Sequence, residues 1–274
     1  MRKSSISREK ILNALREKLE PLAHVNAMWE GGAASFQRVD QWSDIDLQID
    51  VAADRVADTF VVIEQALTKL SPIDLEYALP QPTWHGHAQT FYRLKHASPY
   101  LLLDVCVIKD SNPNKFLQPE IHNPPVVHFD KCNVVHWQPL DHKALVSKLK
   151  ERLETLRVTF NLFQILTTKE SYRHNDIEAL NFYHGFTLRP LVEVLRIKYA
   201  PTRYNFHTRY IHYDLPKPIV RKLENLFFVK DHKDLVAKRK KAERFFYATL
   251  EEIDLKKVEM FLHNNSTATK KKVR

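Results

Sequence analysis

The 274-residue chain is 44% hydrophobic, 27% charged and carries a formal net charge of +9, the composition of a soluble globular protein of one large domain or two small ones. No apolar run approaches the roughly 18 residues of a membrane span, MRKSSISREK lacks the apolar stretch of a secretory signal, and two cysteines, Cys106 and Cys132, cannot build a disulfide framework. A reducing cytoplasm is the expected location, and with only four glycines in the chain glycine-rich phosphate loops are scarce.

In chain order, Ser7 is placed to cap a helix through ILNALREKLEPLA, where Ile11, Leu12, Leu15, Leu19 and Leu22 recur at helical spacing. The short apolar run HVNAMW leads into Glu30-Gly31-Gly32. SDIDLQIDV then alternates strictly: Ile45, Leu47 and Ile49 take one face of a strand, and Asp44, Asp46, Gln48 and Asp50 take the other. A helix is expected from about 53 to 70 and a strand at PIDLEYA. AQTFYRLK and YLLLDVCVI form two strands joined by HASP, a hairpin signal. Cys106, inside the second of these, reads as a buried reduced thiol.

Beyond Trp137 the texture becomes helical. LDHKALVSKLKERLETLRVTFNLFQIL is a long amphipathic helix with Leu145, Leu149, Leu153, Leu156 and Phe160 along one side. Three further helical segments are expected near 176–199, 216–229 and 231–250, separated by the proline-containing breaks YAPTRYNF and DLPKP. The polar end HNNSTATKKKVR is expected to fray. The expected fold class is therefore α+β: a mixed sheet with helices over residues 1–137, then an all-helical domain over 138–274. NPPVVHFDKCNVVHWQP forms the junction between them. The charge follows this division: 14 Lys+Arg against 17 Asp+Glu in the first part, and 28 against 16 in the second. An acidic first half beside a basic second half suits a metal site facing a polyanion.

The acidic strand carries the chemistry. Residues two apart on a strand point the same way, about 6.5–7 Å apart, so Asp44 and Asp46 can converge on a metal. Two carboxylates on one face repel unless a cation relieves them, and a hard divalent ion with oxygen ligands suits such a pair. Gly31-Gly32 lets backbone amides approach a phosphate closely. Asp104 is a lone aspartate in a strongly apolar strand, costly there unless bonded or metal-bound. It alternates with Leu103 and Val105 so as to join the other two carboxylates.

This arrangement resembles the polymerase-β-like nucleotidyltransferase superfamily, whose pattern is Gly-Ser, about eleven residues, Ser-Asp-x-Asp-Leu, and a later strand aspartate. Here it reads Gly32-Ala33, Ser43-Asp44-Ile45-Asp46-Leu47 and Asp104. The motif covers about residues 28–108. The helical half is similar in architecture to the kanamycin, streptomycin and lincosamide nucleotidyltransferase branch. The resemblance implies Mg²⁺-dependent transfer of a nucleotidyl group, AMP from ATP, to a hydroxyl with release of pyrophosphate. It implies Asp44, Asp46 and Asp104 as ligands of one or two Mg²⁺ ions, with Asp104 alternatively taking the acceptor proton. Gly31, Gly32, Ala33 and Ser43 would lie at the nucleotide. The chain departs from the pattern at Ala33, where the family has a phosphate-binding serine, and at Gln37, where it has a glycine.

Several readings stay open at this level. Glu76 is a possible acceptor-side general base or a solvent-facing strand residue. His85 and His87 permit a Zn²⁺ pair if extended, without a third or fourth ligand in view. Arg189, Arg196, Lys198, Arg203 and Arg209 lie among Tyr199, Tyr204, His207 and Tyr210, a set that either binds a nucleotide or RNA or packs between helices. The acceptor is a small molecule, an RNA such as a tRNA end, or a protein side chain. A non-catalytic nucleotide-binding or antitoxin-like module is the alternative from another class.

Overall fold

A computed structural model describes residues 6–272. Residues 1–5, the start of the segment read above for a leader, and 273–274, the end of the basic tail, lie outside the described residues. The chain divides between Pro139 and Leu140 into two compact units.

The first unit is a six-stranded mixed sheet with helices. Helix α1 (Arg8–Leu19) is capped by Ser7, whose hydroxyl accepts from the Lys10 amide, and is followed by β1 (Val25–Glu30) and the single turn α2 (Gly32–Ser35). Strand β2 (Ile45–Val51), helix α3 (Val56–Leu70), β3 (Ile73–Ala78), β4 (Ala88–Leu94) and β5 (Leu103–Lys109) come next, then the short α4 (Pro119–His122) and β6 (Val126–Asp130). The strand order is β3-β4-β5-β2-β1-β6, and only the central β2–β5 pair is parallel. The segment NPPVVHFDKCNVVHWQP, at whose end the two units divide, also contributes β6, which pairs with β1 at the sheet edge.

Alternation in the central strands gives the sheet two unlike faces. One side of β2 and β5, Ile45, Leu47, Ile49, Leu103, Val105 and Val107, is fully buried against Ile11, Leu15 and Leu19 of α1 and Ile63 and Leu67 of α3. Burying a side chain of this size contributes roughly 1.5–3 kcal/mol, so this layer fixes the register and holds the opposite face in place. The opposite face carries Asp46, Gln48 and Asp50 on β2 and Asp104, Cys106 and Ile108 on β5. Its far end is closed by a small cluster of Ala27, Trp29, Cys106, Ile108 and Leu117. There Asp50, fully buried, pairs with Lys115 and accepts from Asn26 Nδ2 at 2.9 Å. Cys106 is a buried thiol whose pKa burial, and then the Asp104 charge, push far upward.

The second unit is helical. It comprises α5 (His142–Tyr172), α6 (Asp176–Phe182), which runs through a π-helical segment (Tyr183–Leu188) into α7 (Arg189–Tyr199), and then α8 (Ile211–Asp214), α9 (Lys217–Phe227), α10 (His232–Glu252) and α11 (Leu255–Lys272). The end expected to fray from 263 continues as helix to Lys272. Phe160 and Phe246 stack at 3.6 Å in a core of Leu149, Leu156, Leu191 and Leu195. The arginine-rich segment after α7 folds around Arg196, which is fully buried. Its guanidinium donates to Asp214 Oδ2 at 2.8 Å and to the carbonyls of Arg203, His207 and Arg209. Arg203 also pairs with Asp214, at 3.1 Å, and Lys198 pairs with Glu252. Two of the five basic residues singled out there, Arg196 and Arg203, are therefore built into the fold, and Lys198 is engaged at its surface.

Candidate functional site

The parallel register of β2 and β5 sets Asp46 directly beside Asp104. Strands lie about 4.8 Å apart in this direction, so two half-buried carboxylates face the same side of the sheet from adjacent backbones. Asp44 is exposed and lies one residue ahead of β2. Its backbone carbonyl, but not its side chain, is held by Arg8 Nη1, and Arg8 also pairs with the Glu30 carboxylate. Glu30 meets His128 Nε2 at 3.0 Å as well, so Arg8 ties the start of α1 to the end of β1 and the entry to β2.

The glycine turn packs onto this pair. The Gly31 amide donates to the Asp46 carbonyl at 2.9 Å, and Gly32 has φ +50°, a left-handed conformation that favours glycine. A Cβ on Gly32 would lie 1.6 Å from Asp46 Oδ2, and one on Gly31 would lie 3.2 Å from Gln48 Oε1. Only glycine fits between the turn and the carboxylate. Gln37, where the resembling family has its second glycine, also adopts positive φ, at 55°. The backbone at this position is thus of the kind a glycine takes, although the side chain is not.

Other residues expected here are differently engaged. The Ser43 hydroxyl donates to Asp40 Oδ1 and accepts the Asp40 amide, both at 2.9 Å, closing the turn that delivers Asp44. Ser35, the only hydroxyl near Ala33 in sequence, is buried and donates to the Glu30 carbonyl at 3.2 Å. It does not replace the serine missing at Ala33. Glu76 requires a correction. It is the register partner of Tyr92, whereas Tyr77 partners Phe91 and Phe91 partners Asp104. Tyr92 belongs to the helix-covered face, where burial and the charges of Glu64 and Glu76 push its pKa upward. Glu76 therefore stands on the opposite side of the sheet from Asp104, and the structure does not bring it to the carboxylates.

The histidines of WHGH are buried, and their hydrogen bonds lead back to the site. Burial, and then His85, lower the His87 pKa to about 4. His85 Nε2 lies 3.1 Å from Gln89 Oε1, and Gln89 Nε2 donates to Asp104 Oδ1 at 2.5 Å. Gln89 and Arg8 have no motif around them in the sequence. The one signal for Gln89 was its place as a polar residue in a β-rich run.

Asp46 and Asp104 offer only oxygen donors, and Gly32 leaves a cradle beside Asp46 that a single Cβ would fill. That chemistry fits a hard divalent cation such as Mg²⁺. Among the described residues no three His, Cys, Asp or Glu side chains stand together as a ready cluster.

No protein-family model matches the chain, and no curated relative was found. Two solved structures are similar to it at 10% identity. One is an aminoglycoside 6-adenyltransferase from Bacillus subtilis, matched over 96% of this chain and 98% of that chain with a TM-score of 0.33. The other is a spectinomycin adenyltransferase from Enterococcus faecialis, solved with ATP and spectinomycin and matched over 95% of this chain and all of that one with a TM-score of 0.35. At these scores the functional reading rests on the residues of the site.

Proposed function

We propose that the first unit is the catalytic domain of a Mg²⁺-dependent nucleotidyltransferase that moves AMP from ATP to a hydroxyl of a small molecule and releases pyrophosphate. The helical unit is proposed as its acceptor-binding domain. The observation that carries the reading is the Asp46–Asp104 pair, in register on adjacent parallel strands, with Gly32 packed on Asp46 where no side chain fits.

Asp46 and Asp104, joined by Asp44, are the residues that would hold one or two Mg²⁺ ions. When bound, such ions would supply charge neutralisation on the triphosphate oxygens. The chain itself does the positioning. The amides of Gly32 and Ala33 would line the approach to the triphosphate, without the hydroxyl that a serine would add, while the Gly31 amide, held by the Asp46 carbonyl, fixes the turn on β2. Asp104, in the middle of the sheet, would complete the metal site or, alternatively, take the proton of the attacking hydroxyl. The interaction that Asp46 and Asp104 would otherwise make with each other is unfavourable, which tunes the site toward cation binding.

The test is pyrophosphate release by the purified chain with Mg²⁺, using ATP, GTP, CTP and UTP against a panel of hydroxylated small molecules and RNA. Wild type should turn over, and Asp44→Ala and Asp46→Ala should each lose activity at least a hundredfold with the fold intact by circular dichroism. Near-normal turnover in Asp46→Ala would remove the assignment.

A further inference from the structure

One oxygen of the Asp104 carboxylate is held by a neutral donor on the neighbouring strand, and that donor is itself oriented by a histidine. Gln89 shares the face of Asp104 diagonally: its register partner on β5 is Cys106, two residues further along. Diagonal neighbours at this offset are within reach of a long side chain, and Gln89 Nε2 donates to Asp104 Oδ1 at 2.5 Å. The other end of the amide, Oε1, lies 3.1 Å from His85 Nε2.

A glutamine side chain has one donating and one accepting end, so whatever His85 presents decides which end faces Asp104. His85 Nδ1 receives the backbone N–H of His87 at 3.2 Å. Thr83 Oγ1 lies 3.3 Å from the same nitrogen, but its proton goes to the His87 carbonyl at 2.6 Å. Nδ1 is therefore an acceptor, and the neutral ring carries its proton on Nε2, which donates to Gln89 Oε1. The amide is left with its NH₂ toward the carboxylate; turned over, it would set oxygen against oxygen. The ring itself has little room to rotate. It is 8% exposed and packed between His87, at 5.1 Å between centroids, and Phe116, at 6.0 Å.

We infer that His85 and Gln89 form a positioning relay that orients the Asp104 carboxylate for the chemistry at the β2–β5 carboxylate pair. Gln89 is the positioning residue in contact with Asp104, and His85 fixes its amide. This assignment rests on the reading of Asp104 proposed above. Partners that orient a metal-binding carboxylate typically change metal affinity or activity by about 10–100-fold when removed, because a misaligned ligand loses geometry that the transition state needs.

The experiment measures Mn²⁺ binding by electron paramagnetic resonance alongside pyrophosphate release, for wild type, Gln89→Leu, His85→Leu, the double variant and His85→Gln. Gln89→Leu should weaken Mn²⁺ binding and lower kcat by about 10–100-fold, with the KM for ATP within about threefold. The double variant should be no worse than Gln89→Leu, since both residues act through one chain of hydrogen bonds. His85→Gln, which keeps a donor facing Gln89, should recover most of the loss. Should His85→Leu fail to fold, the half-buried Gln89→Leu and the rescue variant still decide the matter. If wild type binds Mn²⁺ and turns over while Gln89→Leu matches it in both, the relay is wrong and the proposed function stands. A Gln89→Leu protein with a lower melting temperature but unchanged kcat and Mn²⁺ binding shows a structural role only and overturns the relay. A wild type that neither binds Mn²⁺ nor releases pyrophosphate overturns the reading of the site, and the relay with it.

Discussion

Gly32 is the residue whose replacement separates the site from its scaffold most cleanly. Its φ of +50° disfavours any L side chain, and an added Cβ would sit 1.6 Å from Asp46 Oδ2. Gly32→Ala must therefore displace either the turn or the carboxylate. Strain of this kind costs on the order of 1–3 kcal/mol, which chemical denaturation would read directly. Under the proposed function, activity should fall by at least a hundredfold, far more than that stability loss explains; an alanine variant with near-normal turnover would show that the turn does not bear on Asp46. His87 makes a second prediction at this scale. Burial and His85 hold its folded pKa near 4, against about 6.5 for a free imidazole. A lowered pKa means that the unfolded chain takes up the proton first. The stabilisation is therefore present above pH 6.5 and is lost as the pH falls toward 4, with an upper bound of roughly 3 kcal/mol. Its ring Nε2 is buried without a hydrogen bond, and the backbone of Asn114, which favours the charged form, only partly offsets burial and the His85 charge. Urea unfolding at pH 7 and pH 4.5 should show the wild type losing more stability than His87→Leu over the same range. Equal losses would place the acid sensitivity elsewhere.

At the scale of elements, the strand that carries the carboxylates was legible and its surroundings were only partly so. The strict alternation of SDIDLQID reveals which face is wet because the strand period is two, and that face is where Asp46 and Asp104 stand. The role of Glu76 stayed open between two readings, and the exposed strand position it takes was not decided by the sequence because its face depends on how β3 registers with β4. The pairing there slips between Ile73 and Leu75, and a one-residue slip exchanges the two faces. Strand β6 was hidden because NPPVV reads as a break, and its pairing with β1 is a tertiary fact. Asp50 shows why alternation alone does not identify ligands. It shares the face of Asp46, yet it is fully buried and paired with Lys115, which also donates to the Asp110 carbonyl at 3.2 Å. This ion pair pins the segment after β5 to β2. Lys115→Met leaves the Asp50 charge without its cation and should cost about 3–5 kcal/mol, whereas removing both charges in Asp50→Asn/Lys115→Met should recover much of it. Guanidinium unfolding of the three proteins checks this. A double variant as unstable as the single would mean that packing of the lysine stem, not charge, is what matters.

For the molecule as a whole, what the residues made plain was a division of labour in charge and texture: a sheet unit with a net charge of −3 over residues 1–137 and a helical remainder with +12. What they could not reveal was which of the basic side chains remain available. Arg196 and Arg203 are consumed by Asp214 and by loop carbonyls, and Lys198 by Glu252. Such engagements join residues that no local pattern connects. The long-range field of the helical half nonetheless survives these pairings, because net charge does not depend on which cation finds a partner. A field of that sign raises the local concentration of anions, and it is screened over a Debye length that shrinks from about 10 Å at 0.1 M salt to about 3 Å at 1 M. If the proposed reaction takes a nucleoside triphosphate, the KM for ATP should rise several-fold between about 0.05 and 0.3 M NaCl. The kcat should change less than twofold, since groups fixed within the sheet are screened much less than exposed charges. A polyanionic acceptor such as RNA would respond far more steeply, its affinity falling as a power of the salt concentration set by the number of phosphates engaged. A cationic acceptor would respond in the opposite sense, its KM falling as repulsion from the net positive chain is screened. The sign and steepness of the salt dependence for each acceptor therefore report the charge of the true one, and a KM for ATP that does not move with salt would show that the chain's net positive charge plays no part in drawing the triphosphate to the site.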